Sequence, residues 1–144
     1  MRLQRPALML AALWWGGISA LSFLAVPLLF AQLGSPAVAG PVAAKIFSLQ
    51  CWAGIVIGGL LLVLLKRGEP TPEAFTTLGL VCLALLLALL QEFGVAQKIV
   101  TARASGGNLR LWHAVGSLMV LGQWLCTAAV LWRLGAGPRS TQPG

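Results

Sequence analysis

Apolar residues along this chain do not recur at the spacing of one buried helix face; they run on without interruption, and charges stand at the ends of the runs. Pro6 to Ala44 holds 39 residues without Lys, Arg, Asp or Glu. Ile46 to Leu65 holds 20, Ala74 to Gln91 holds 18, and Leu111 to Trp132 holds 22, with only His113 titratable in the last. A helix rising 1.5 Å per residue crosses a hydrocarbon layer of about 30 Å in about 20 residues, so each run is long enough for one crossing. The first is too long for one span and too short for two. Its tail, Leu33-Gly34-Ser35-Pro36-Ala37-Val38-Ala39-Gly40-Pro41, is small and turn-forming and is expected to connect two helices. The pattern predicts an all-α membrane protein, an antiparallel bundle of four transmembrane helices near 7–33, 42–65, 74–99 and 108–133. Residues 1–134 form one four-span domain, and 135–144, which contains Pro138 and Pro143, is expected to be a disordered tail.

Composition excludes the soluble alternatives. Hydrophobic residues are 58% and charged residues 9%, against about 25% charged in a typical soluble domain, and a chain this short has too little interior to hide that much apolar surface. Arg2 and Arg5 followed by an apolar run resemble a signal peptide, with Ala37-Val38-Ala39 as a cleavage site. The run from Ala7 to Leu33 is far longer than the 7–15 or so residues of a signal core, so a first span is expected instead.

Four spans put the N-terminal tail, the loop around 66–73 and the C-terminal tail on one side. That side carries six cations, Arg2, Arg5, Lys66, Arg67, Arg133 and Arg139, and the other carries Lys45, Lys98, Arg103 and Arg110. The excess predicts both termini in the cytoplasm. Trp112 and Trp132, beside Arg110 and Arg133, are placed as interfacial anchors. The net charge of +7 does not indicate nucleic acid, because the cations lie at helix ends rather than among aromatics; lipid headgroups are their expected partners.

Within the spans, Gly54-Ile55-Val56-Ile57-Gly58 is a Gly-x-x-x-Gly motif, and Ala84 and Ala88 repeat the small-residue spacing, so these positions are expected to pack helices closely. The motif leaves open whether the partner helix belongs to the same chain or to a homo-oligomer or another membrane protein. Pro27 is expected to kink the first span, with Ser22 available to the freed carbonyl. Cys51, Cys82 and Cys126 fall inside spans without a Cys-x-x-Cys pair and are expected to be small packing residues; no metal or other cofactor is implied, and a Cys82–Cys126 contact stays open.

Polar residues in the spans carry the candidate chemistry. His113, Gly116, Ser117, Val120, Gln123 and Thr127 share one stripe of the fourth helix, and Thr77, Ala84, Ala88, Gln91 and Lys98 share one of the third. Lys45, Gln91, Glu92, Lys98, Arg103, Arg110 and His113 are expected at one depth, the non-cytoplasmic third. There Glu92 would pair with Arg103 or Arg110, or the cluster would line a small polar cavity. Neither a Ser-His-acid grouping nor a His-x-x-x-His pair is present, so no catalytic activity is expected.

Trp15-Gly16-Gly17, Val26-Pro27-Leu28-Leu29-Phe30, Ala39-Gly40, Lys45-Ile46-Phe47, Gln97-Lys98-Ile99 with Arg103, and Leu111-Trp112-His113 with Ser117 resemble the small four-helix membrane family whose eukaryotic members are called transmembrane protein 205-like. The resemblance runs from about residue 8 to 133. Proline often stands in the family where this chain has Gln97, and Gln123 only approximates an amide of its fourth helix. The resemblance implies a four-span bacterial inner-membrane protein without an assigned reaction. Two functions follow as expectations: a non-enzymatic structural or complex-forming component, or a small oligomeric transporter or ligand-binding bundle using the polar cluster.

Overall fold

The computed structural model describes residues 4–136. They form four helices long and apolar enough to cross a membrane: α1 (Gln4–Leu33), α2 (Pro36–Lys66), α3 (Pro72–Ser105) and α4 (Leu109–Gly135). There is no strand among the described residues. The expected tail falls, from residue 137 on, outside the described residues.

Local chemistry fixes the helix ends. Gly34 and Gly106 take the left-handed conformation (φ 64° and 74°) that ends α1 and α3, a conformation in which a Cβ is strained. Thr71 caps α3 by accepting the Ala74 N–H at 3.1 Å, with Pro72 in the first turn, and Asn108 caps α4 by accepting the Leu111 N–H at 3.0 Å.

Two boundaries differ from expectation. The connection expected near 34–44 is only Gly34-Ser35: Pro36 begins α2 and Pro41 lies inside it. Proline is suited to a first turn, where its missing N–H has no helical acceptor, and small neighbours let the chain stay helical through Pro41. The third helix continues past residue 99 to Ser105. At Pro27 the structure substitutes a wider, π-helical segment, Ser19–Ala25, in which the Val26 N–H bonds back to Leu21 O. Ser22 does not serve a freed carbonyl; its hydroxyl donates to Gln50 Oε1 at 2.9 Å. A second π segment, Gln91–Val95, interrupts α3.

Each helix packs on its two neighbours in the order α1–α2–α3–α4 and back to α1. The core lies in the half that holds the chain ends. Ala7, Ala11, Trp14 and Ile18, one stripe of α1, meet Leu61 of α2, Val81 and Ala84 of α3, and Val120, Cys126 and Val130 of α4. Gly54 and Gly58 admit the Trp14 ring: a Cβ on them would stand 2.9 Å from Trp14 Nε1 and 2.8 Å from its outer ring edge, and one on Gly58 only 2.7 Å from Leu85. The Gly-x-x-x-Gly motif thus packs within the chain, and Ala84 and Ala88 are buried on the facing helix. Beyond the π segments the bundle opens. The second half of α1 packs on α2, the second half of α3 packs on α4, and little backbone contact joins the two pairs.

Candidate functional site

Four side chain–side chain hydrogen bonds lie at one level, and each crosses a different seam of the bundle. Ser22 Oγ donates to Gln50 Oε1 at 2.9 Å between α1 and α2, and Ser48 Oγ donates to Glu92 Oε1 at 2.7 Å between α2 and α3. Gln123 Nε2 donates to Gln91 Oε1 at 2.7 Å between α3 and α4. Trp124 Nε1 donates to Ser19 Oγ at 2.9 Å, closing the ring between α4 and α1. Ser19 in turn donates to Trp15 O at 2.8 Å. The Cys51 thiol meets Ala88 O at 3.4 Å beside the same level.

This layer sits at mid-depth. Gln50 is 14 residues from Pro36 and 16 from Lys66, and Gln123 is 14 from Leu109 and 12 from Gly135. Glu92 is 20 residues from Pro72 and 13 from Ser105, so about 20 Å of helix separates it from the nearer end. Gln91 and Glu92 therefore do not belong to the outer third in which the sequence places them. The six residues added to α3 after 99 move its centre toward them. Both π segments contribute to the layer: Ser19 and Ser22 come from one, Gln91 and Glu92 from the other. Such segments are rare and occur frequently at functional sites.

The remaining candidates fall elsewhere. Arg103 lies on the same side of α3 as Glu92, since both meet α2, but eleven residues separate them, about 16 Å along the axis. The expected ion pair is absent: among the described residues Glu92 pairs with neither Arg103 nor Arg110, and the Arg103 guanidinium rests against Gly40, where a Cβ would stand 2.7 Å from it. Lys98 Nζ stands 6.0 Å from the centre of the Trp112 ring. His113 and Ser117 are exposed, and the Ser117 hydroxyl turns back to His113 O at 2.9 Å. Gln123 and Thr127, lower on the same stripe, are buried. The stripe divides because α1 covers α4 only up to the polar layer. Cys82 is exposed whereas Cys51 and Cys126 are buried. Among the described residues no three His, Cys, Asp or Glu side chains converge on a metal-sized site.

Sequence reasoning missed Ser19, Ser48, Gln50 and Trp124. Serines and glutamine within the 39- and 20-residue charge-free runs were the available signal, but their partners lie one helix away. It also missed an apolar groove of about 540 Å³ between α1 and α4, lined by Leu8, Trp15, Ala128, Leu131 and Trp132, with the Trp15 N–H buried and without a partner.

Residues 9–108 match the family described as Domain of unknown function (DUF4149). The chain belongs to that family. The match spans α1 to α3 and ends where α4 begins, so Glu92 and its partner Ser48 both lie within it, whereas Gln91 lies within it and its partner Gln123 beyond it. The chain is also 36% identical over 113 residues to an uncharacterized protein of Aquifex aeolicus (strain VF5), covering 78% of this chain and 81% of that one. No solved structure matches.

Proposed function

We propose that this chain is a non-enzymatic component of the bacterial inner membrane that packs with itself or with another membrane protein, both termini facing the cytoplasm. The kinship with transmembrane protein 205-like chains belongs to the same reading. One observation carries it: the mid-depth polar side chains serve the four seams, one hydrogen bond to each, as expected of a layer that fixes helix register rather than one that turns over a substrate. The outside of the bundle supports a lipid environment, with Leu13, Leu28, Val56, Leu86, Leu118 and Trp132 all exposed.

A second reading, a small oligomeric transporter or ligand-binding bundle, is favoured by the opening of the bundle beyond the layer. The two readings separate in native mass spectrometry of the protein extracted from its own membrane in a mild detergent. An assembly with itself or a defined protein partner is expected, lost when the polar layer is broken by Gln123→Leu. A bare chain with a reproducible small-molecule adduct would replace the first reading with the second. Cysteines introduced at Gly68 and Gly107 and tested with an impermeant reagent on intact spheroplasts check the orientation: labelling of Gly68→Cys but not Gly107→Cys would overturn it.

A further inference from the structure

The seam between α1 and α4 is open on its outer side in the half of the bundle that holds the chain ends. Leu8 and Trp15 of α1 face Ala128, Leu131 and Trp132 of α4, with Ala136 at the rim, across a groove of about 540 Å³. Its inner end is closed by aromatic carbon: the Trp15 ring packs on Trp124, with centres 5.8 Å apart, and the Trp15 N–H is covered. Seven residues separate Leu8 from Trp15, so the groove runs about 10 Å along the helix axis. A neighbouring helix about 10 Å across would displace about 800 Å³ over that length, more than the groove holds. An acyl chain, which carries no side chains, can lie along it.

The charges at the mouth indicate what kind of lipid. Arg5 precedes Leu8 by three residues and shares its face of α1, since Arg5, Leu8 and Trp15 fall within about 80° of arc. Arg5 is exposed. Its neighbour Gln4 is taken up by α4, donating to Leu134 O at 3.2 Å. Arg133, the other cation at this end of α4, is turned away to Thr77 and the Glu73 carbonyl of α3. The three acids of the chain stand elsewhere: Glu69 and Glu73 belong to the α2–α3 connection, at the opposite seam of the ring, and Glu92 lies at mid-depth. A guanidinium suits a phosphate, and with no carboxylate beside it to receive an ammonium group it favours a headgroup that is anionic as a whole.

We propose that the α1–α4 groove binds one anionic phospholipid from the leaflet on the side of the chain ends, its phosphate held by Arg5 and one acyl chain laid between Leu8 and Trp15 of α1 and Ala128 and Trp132 of α4. The site goes beyond both readings of function. A scaffold and a transporter would carry it alike, so its failure leaves the choice between them untouched.

Photolabelling tests the site on the full chain in phosphatidylcholine nanodiscs, with a trace of phosphatidylglycerol that carries a diazirine midway along one acyl chain. Irradiation expels dinitrogen, and the carbene inserts into the nearest bond. Peptide mass spectrometry is expected to find adducts concentrated in residues 8–15 and 128–136 rather than at Leu83 and Leu86, which are exposed on α3. Unlabelled phosphatidylglycerol is expected to suppress the groove adducts about fivefold better than phosphatidylcholine, as one basic residue near a membrane surface provides. Arg5→Gln is expected to bring the two competitors to parity while adducts stay in the groove. Ala128→Trp, which fills the groove from α4, is expected to remove the groove adducts and keep those on α3. Should Ala128→Trp fail to fold, Arg5→Gln still decides the matter, because Arg5 is exposed and outside the core.

Adducts spread evenly over the exposed faces of all four helices would reduce the site to ordinary surrounding lipid and overturn it. Phosphatidylcholine that competes as well as phosphatidylglycerol in the wild-type chain, or a preference that survives Arg5→Gln, would overturn the role of Arg5. A dimer in native mass spectrometry that Ala128→Trp splits would give the groove to a second copy of the chain instead.

Discussion

Gln123 of α4 donates its side-chain amide to Gln91 Oε1 of α3 at 2.7 Å, and Gln123 is itself 3% exposed. Removing one partner strands the other in an apolar interior, whereas removing both strands nothing. Gln123→Leu and Gln91→Leu are each expected to lower unfolding stability by about 1–2 kcal/mol, and the double variant by clearly less than the sum. A double-mutant cycle in mixed micelles measures this; strict additivity would show that the bond contributes nothing as a pair.

Gly58 and Gly59 are neighbours with opposite surroundings. A Cβ at Gly58 would press on Leu85 and the Trp14 ring, whereas one at Gly59 meets nothing within 4 Å. Gly58→Ala is expected to destabilise the bundle by about 1–3 kcal/mol, as overpacking does, while Gly59→Ala is neutral or slightly stabilising because alanine favours the helix. Equal unfolding midpoints for the two variants would refute the seating of Trp14 across this motif.

Arg133 of α4 reaches α3 by two bonds, Nε to Thr77 Oγ1 at 3.0 Å and a terminal guanidinium nitrogen to Glu73 O at 3.1 Å. Lysine keeps the charge and loses the fork. Arg133→Lys is expected to weaken the bundle by about 0.5–1 kcal/mol while leaving its topology unchanged. A stability equal to wild type would mean that only the charge at this helix end matters.

The three cysteines differ in access: Cys82 faces outward, and Cys51 and Cys126 lie inside. A small maleimide added to the folded protein in micelles is expected to modify Cys82 first, and all three after unfolding in dodecyl sulfate. Comparable rates for Cys51 or Cys126 in the folded state would contradict the packing of α2 and α4.

The sequence by itself determined the architecture, because a span needs only enough consecutive residues that can enter hydrocarbon, and that property is additive along the chain. The charge-free runs located all four helices, and the small-residue spacing singled out Gly54, Gly58, Ala84 and Ala88, which are buried. Tertiary structure decided everything that depends on depth and on partners. Pro36 and Pro41 looked like a turn, yet Pro36 stands in a first turn whose N–H groups lack helical acceptors in any case and Pro41 is carried inside the helix, and the added turns shift which residues lie at the middle. Glu92 and Arg103 looked paired because 100° per residue brings them to one side, but angle says nothing of the 16 Å or so between them along the axis. Ser48, Gln50 and Ser19 carried no mark of importance in an apolar run. Their role follows only once two π segments and three neighbouring helices bring an oxygen or an N–H within hydrogen-bonding distance of each.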